Sequence, residues 1–331
     1  MADVSVGPPD RDRLFGADGA RGADRAQLLL VAGLVMAVSL VTLVVLLNAT
    51  IYSENVATRG IESADGEALE VRATAVDGTG ELIDATNRAA PDSHDDAAAE
   101  VRDGVTDLDG ELSRSYAERG GVARVELSSV RNGSRITGTI AGNGSVDPNA
   151  ATLATDVSRT RGFALDVDPG SLNETDSAGA VDDAFHVDLD NSTGGSHQLY
   201  VYTNETDGNV TVAVGEDGSV PTARCAVPPD GRDRVTVDLT GQRLGDRPCP
   251  GIWPTALAPP DDAYNVTLAN ADAADGEVTA TVRPVSEDAV TSNPDLTATP
   301  AVYEATIALR YRTAELRFET AVRVAPGEPD A

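Results

Sequence analysis

Lysine is absent. All 25 basic residues of this 331-residue chain are arginines, set against 54 acidic residues, and the net charge is −29. Without lysine there is no Schiff-base chemistry and no Ser-Lys dyad. No basic run stands out that would neutralise phosphates, so nucleic acid is not an expected partner. Histidine is scarce, with only His94, His186 and His197, and Trp253 is the sole tryptophan. Recognisable catalytic signatures are missing too. There is no G-x-S-x-G turn to present a serine nucleophile, no zinc-protease helix motif, no Walker A loop and no dinucleotide-binding glycine fingerprint. The chain is therefore not expected to be an enzyme or to carry a cofactor. An anchored hydrolase is the weakest alternative.

A charge this large can mean disorder, but 41% of residues are hydrophobic and alternating apolar patterns recur from Val122 onward. The acidity then belongs to the surface of a folded protein. Abundant Asp and Glu with many Ala, Val and Thr match proteins from extreme salt. Molar salt shortens the Debye length to about 3 Å and screens such self-repulsion.

Long apolar runs occur once. Leu28 to Leu47 carry no charge, and only Ser39 and Thr42 bear hydroxyls. Twenty residues at about 1.5 Å each match one hydrocarbon core of about 30 Å. The run is longer and begins later than a signal-peptide core, and no A-x-A-like site follows it. The expectation is a retained single-pass anchor. Arg11, Arg13, Arg21 and Arg25 precede it, whereas only Arg59 lies as close behind, which places the N-terminus in the cytoplasm and the remainder outside. Gly33 and Ala37 form a small-xxx-small pair through which another helix could approach.

The expected organisation is a disordered cytoplasmic tail over 1–24, a transmembrane and stalk helix over 25–76, a helical segment over 77–121 and a β-rich extracellular head over 122–331. Ile61, Ala64, Ala68, Val71 and Ala75 form one helical face, and "DGTG" at 77–80 interrupts it. Val101, Val105, Leu108, Leu112 and Tyr116 form a stronger face that Gly120-Gly121 ends. "VARVELSSV" and "RITGTIAG" read as a hairpin about "RNGS". "AFHVDLD", "HQLYVYT" and "NVTVAVGED" form a second group. "AYNVTLAN" and "EVTATVRPV" form a hairpin about "ADAADG", and "AVYEATIALRYRT" with "ELRFETAVRVAPG" forms the last. "ATLATDVSRT" reads as a short helix or loop before a strand at Phe163–Val167. The fold class is thus α+β: a long N-terminal transmembrane and stalk helix plus helices, then an antiparallel sandwich-like domain.

Cys225 and Cys249 lie in Pro- and Gly-rich turns. An outside location permits a disulfide between them; two buried free thiols are the alternative. Eight N-x-S/T sequons occur where 13 asparagines would give roughly two by chance. Asn48 sits at the apolar boundary. Asn132, Asn143, Asn173, Asn191, Asn204, Asn209 and Asn265 are the candidate N-glycosylation sites, unless Asn, Ser and Thr simply share loops. His186 and His197, on neighbouring predicted strands, with Asp183 or Asp188 have the residue types of a metal site, although half-exposed strand positions explain them better. Asp166 and Asp168 begin a calcium-like loop that lacks its later ligands. Trp253 is expected to pack beside Cys249 rather than to bind a ligand.

The N-terminal stretch "DRAQLLLVAGLVMAVSLVTLVV" resembles archaeal type IV pilin-like proteins. "LNATIYSENVATRG", "YAERGG" and the final "YRT…APGE" resemble a family of haloarchaeal membrane-anchored proteins related to pseudopilins. The resemblance implies a cut between Ala26 and Gln27, a helix partly in the membrane and a β-rich external head with no enzymatic activity. Val31 stands fifth after that cut, where bacterial pilins carry a glutamate. Expected partners are the membrane and other pilin-like subunits or envelope proteins. A singly anchored receptor-like domain that binds a ligand is the second reading.

Overall fold

The computed structural model describes residues 18–140, 151–191, 196–216, 218–254, 263–283 and 295–329; within the first helix, the side chains of residues 18–32, 35 and 48–65 fall outside that description. The chain divides into two compact units, Met1–Gly66 and Glu67–Ala331. Two helices come first, α1 (Asp18–Arg88) and α2 (His94–Ala117). The strands β1 (Val122–Ile140), β2 (Ala151–Val157), β3 (Arg159–Val167) and the two-residue β4 (Glu174–Thr175) follow. A single turn, α3 (Ala180–Asp183), precedes β5 (Phe185–Asn191), β6 (Ser196–Asn204), β7 (Val210–Gly215) and β8 (Thr222–Val227). The chain continues with β9 (Val235–Asp238), β10 (Arg243–Leu244), β11 (Arg247–Pro248), β12 (Tyr264–Ala269), β13 (Gly276–Arg283), β14 (Leu296–Arg312) and β15 (Arg317–Val324).

The strands form two sheets. One has the order β11-β10-β9-β3-β13-β1-β14-β15; the other has the order β2-β12-β5-β6-β7-β8, with β4 beside β6. Apart from the parallel β4–β6 contact, every pairing is antiparallel. The two sheets share one core, built from residues such as Ile136, Phe163, Leu165 and Val278 of the first and Leu153, Phe185, Val201 and Val212 of the second.

A second core lies along the other ends of the long strands. There Val71, Ala75 and Ile83 of α1 and Val101, Val105 and Tyr116 of α2 meet Val125 of β1 and Ile307, Leu309 and Tyr311 of β14. At about 3.3 Å per residue the 17-residue β14 is some 55 Å long. That is long enough to serve the inter-sheet core at its start and the helical core at its end.

α2 forms as its pattern predicts. Ser93 caps it by accepting from the Asp96 N–H, and Asp95 and Asp96 sit at its positive end. It stops where Gly120 turns to a φ of +82° and the Gly121 N–H bonds the Tyr116 carbonyl.

Several expectations are corrected. The fold class is not led by a transmembrane and stalk helix: the described residues form mostly antiparallel β-sheet with the helices as a minor layer. The single-pass localisation, with its inside tail and outside head, fails as well. Among the described residues, no helix is long and apolar enough to cross a membrane. Of the expected tail, residues 1–17 lie outside the described residues, and α1 already begins at Asp18.

"DGTG" does not interrupt α1. A Cβ at Gly78 would touch Leu108 at 3.2 Å, one at Gly104 would stand 2.7 Å from Leu82, and Thr79 is buried with its hydroxyl donating to the Ala75 carbonyl. The glycines let α1 and α2 approach each other closely rather than ending a helix.

"RNGS" is not a hairpin turn. β1 runs straight through it, with Asn132 opposite Val302, Gly133 opposite Ala301 and bulges at either side of the stretch Ser129–Arg131. A Cβ at Gly133 would lie 2.7 Å from the Val282 carbonyl oxygen and 2.9 Å from Tyr303 Cβ. Glycine is there for close packing, not for a turn. "ADAADG" is also no hairpin: β12 and β13 belong to different sheets, and a single 3₁₀ turn at Ala271–Ala273 carries the chain between them. "ATLATDV" is strand β2, where Leu153, Ala154 and Val157 fill the core. The β5–β6–β7 meander and the β14–β15 hairpin pair as their alternation predicts.

Candidate functional site

Ala26 and Gln27 lie in α1, and their side chains fall outside the described residues. Gly33 and Ala37 are exposed one turn apart, with nothing within 4 Å of a Cβ built at Gly33. Around them Leu34, Met36, Val38, Leu40, Val41, Leu43, Val44, Val45, Leu46 and Leu47 are 54–71% exposed. At about 100° per residue these positions surround the helix, so the stretch presents hydrocarbon on every side. Contiguous exposed apolar surface of this kind marks an interaction site.

Cys225 and Cys249 form a disulfide, with Cα atoms 5.6 Å apart. Cys225 lies on β8, the edge of the second sheet, and Cys249 follows β11, the edge of the first. The bond therefore staples the two open edges together on one side of the sandwich. Trp253 is buried in the core with Cys249, so its role is packing. Ile252 is buried beside it, and its carbonyl meets His197 Nε2 at 3.1 Å.

The histidines do not converge. His186 stands opposite Tyr200 and stacks on its ring at 4.8 Å, while His197 stands opposite Leu189, so the two side chains point to opposite faces of the sheet. Burial holds the His197 imidazole below its ordinary pKa despite the Ile252 carbonyl. Burial likewise raises the Asp188 carboxyl, and nearby His186 only partly opposes this. His94 begins α2 and reaches the Gly133 carbonyl at 2.8 Å. The Asp166 and Asp168 carboxylates are used locally, by the Thr236 hydroxyl and the Gly170 N–H. Among the described residues no group of three or more His, Cys, Asp or Glu is arranged to hold a metal ion.

Of the seven candidate sequons, Asn143 lies outside the described residues. Asn132, Asn173 and Asn265 are exposed, and Asn191, Asn204 and Asn209 are half-buried. Asn173 Nδ2 donates to the Asp183 carbonyl, whereas Asn265 uses only its oxygen, accepting from the Asp156 N–H.

The densest polar network joins β14, β15 and the C-terminal segment. Buried Glu304 meets Arg131 at 3.0 Å, Arg283 at 3.7 Å and Arg323. Glu328 takes Arg323, Arg159 at 3.1 Å and the Tyr303 hydroxyl at 2.9 Å. Burial pushes the Glu328 carboxyl up, but the Arg323, Tyr303 and Arg159 hydrogen bonds outweigh it and hold the group below the usual carboxylate range. A lowered folded pKa contributes stability that is present above the unfolded value, about 4.3, and is lost as pH falls through the folded value. Urea unfolding at stepped pH should show wild type losing more stability than Glu328→Gln on acidification below about pH 4.3. Parallel curves would remove Glu328 from the account.

A cleft of about 410 Å³ is lined by Arg232, Arg234, Thr236, Asp238, Arg243 and Asp246 among others. It lies along β9 and β10, near the stapled edge. Residues 222–251 hold five arginines and four aspartates, a local balance of +1 in a chain of −29. That local charge reversal was the available signal, and counting over the whole chain averages it away.

Residues 22–142 match a family of unknown function (DUF7261). The match takes in α1 from Gly22, α2 and β1, and leaves the disulfide and the arginine cleft outside it. Neither a curated protein nor a solved structure matches the chain.

Proposed function

We propose that this chain is a pilin-like structural protein, one that assembles with copies of its own kind through the apolar stretch of α1 and presents the β domain as a contact head. It works by assembly rather than by catalysis. The observation that carries this reading is the apolar surface from Leu34 to Leu47, exposed on all sides of the helix. Such a surface is stable in water only when covered, and identical helices cover one another by close packing. Gly33 and Ala37 supply the small side chains that allow it. The sequence resemblance at Arg25-Ala26-Gln27 supports the same reading, because a cut before Gln27 would leave the apolar stretch near a new N-terminus. The Cys225–Cys249 disulfide supports work in an oxidising compartment.

N-terminal sequencing of the protein isolated from its own cells tests the processing step. A chain beginning at Gln27 supports the reading, and one that retains residues 2–26 contradicts it.

We further propose that the head is a glycoprotein adapted to high salt. Glycopeptide mass mapping should find Asn132 and Asn265 modified, since each is exposed with its amide nitrogen unengaged, and Asn173 modified least. Full occupancy at Asn173 with none at Asn132 would contradict the structural ranking.

A further inference from the structure

The cleft gathers three arginines along one wall of the β domain. Acidic residues outnumber arginines two to one in this chain, and some arginines elsewhere take carboxylates, as Arg124 does with Asp109, Arg310 with Glu319, and Arg323 with Glu304 and Glu328, while others among the described residues make no ion pair. Among the described residues, none of Arg232, Arg234 and Arg243 makes an ion pair. Two are instead held by backbone oxygens. Arg234 donates one nitrogen to the Asp166 carbonyl at 3.0 Å, and Arg243 donates one to the Asp246 carbonyl at 2.8 Å. Each guanidinium carries five N–H donors in a fixed fork, so this leaves most of them free while fixing the plane.

The carboxylates of the cleft do not fill the gap. Asp238 turns its Oδ1 to the Gly241 N–H at 2.7 Å and to the Thr240 hydroxyl. Glycine lets the wall come close: Gly245, at φ +55°, would place a Cβ 3.4 Å from the Arg232 guanidinium.

We propose that this cleft binds a small polyvalent oxyanion, a ligand bearing two or more carboxylate, phosphate or sulfate groups, with Arg232, Arg234 and Arg243 as its anchors. Planar forks held in place match oxyanions in bidentate fashion and lose little freedom on binding. The volume, about 410 Å³, is that of a small-ligand site. In a chain of net charge −29, this local balance of +1 also favours anions here. The inference does not depend on self-assembly, since the cleft lies on the head.

Titration calorimetry of the full chain tests it, with citrate, pyrophosphate and sulfate as separate probes at fixed moderate chloride. The expected result is saturable binding of at least one polyvalent probe. Binding should weaken at least tenfold in Arg234→Gln/Arg243→Gln and stay unchanged in Arg317→Gln, whose arginine lies on β15 beside Glu319. The thermal midpoint of each variant without ligand reports whether it folds. Equal affinity in the double variant overturns the proposal, as does the absence of saturable binding by any probe. If instead the double variant changes only the association state of the chain, the cleft serves a protein surface and the oxyanion assignment fails.

Discussion

Replacing Arg161 with alanine should lower the unfolding free energy by about 3–5 kcal/mol, the range for removing one member of a buried charged network. Arg161 is 2% exposed. Its guanidinium donates to Asp84 at 3.1 Å, to the Pro326 carbonyl at 2.8 Å and to the Val302 carbonyl at 2.9 Å. One side chain thus joins the end of α1, β14 and the C-terminal segment. Asn87 strengthens the same junction by pairing with both the N–H and the C=O of Val302, as a neighbouring strand would. Burial lowers the Arg161 pKa, with Asp84 opposing, and its Nε has no hydrogen-bond partner. The charge is therefore costly to bury and is kept by what it joins. Arg161→Met retains much of the volume and should lose clearly less than Arg161→Ala. A loss below about 1 kcal/mol in the alanine variant, the level of an exposed pair, would show that the junction does not depend on this side chain.

Reducing the Cys225–Cys249 bond should cost about 3–4 kcal/mol by the chain-entropy model, with a fall in thermal midpoint on the order of 10 °C. The bond closes a loop of sequence separation 24. Position matters as much as loop length, because both cysteines sit at sheet edges. β8 and β11 present unpaired backbone on their outer sides. The staple and Pro248 both protect these edges from further pairing. The reduced protein should also aggregate more readily at the same degree of unfolding. Cys225→Ala/Cys249→Ala, compared with oxidised wild type in calorimetry, checks the first effect without a reductant. An unchanged midpoint would mean that the edges hold without the bond.

What the sequence made legible was local. The face Val101–Val105–Leu112–Tyr116 declared α2 because four- and three-residue spacing has no other use. The β14–β15 hairpin and the β5–β6–β7 meander declared themselves by alternation, and the cysteines by their turn-rich surroundings. What it concealed was long-range. Gly78 and Gly133 read as a breaker and a turn, yet each meets a side chain or carbonyl far away in sequence, and only the folded partner shows why a glycine is needed. "ADAADG" looked like a hairpin loop because two alternating strands flank it, and alternation does not say which sheet each strand joins. β2 was missed because its Ala and Thr residues carry little hydrophobic contrast. The apolar stretch before Asn48 was read as a retained membrane anchor. Its assignment as a membrane span does not survive, since no described helix is long and apolar enough to cross one. Of the candidate site, the disulfide was legible, and the arginine cleft was not, because β9, β10 and the preceding turn assemble it.

The central claim is that the apolar stretch of α1 makes copies of this chain associate. Sedimentation velocity of the full chain over a hundredfold range of concentration in molar salt tests it most directly, with wild type beside Leu40→Arg/Val44→Arg. The account predicts concentration-dependent assemblies of wild type and a monomeric variant whose β domain unfolds at the wild-type midpoint. A wild-type chain that stays monomeric at every concentration, or a variant that assembles as wild type does, would contradict it.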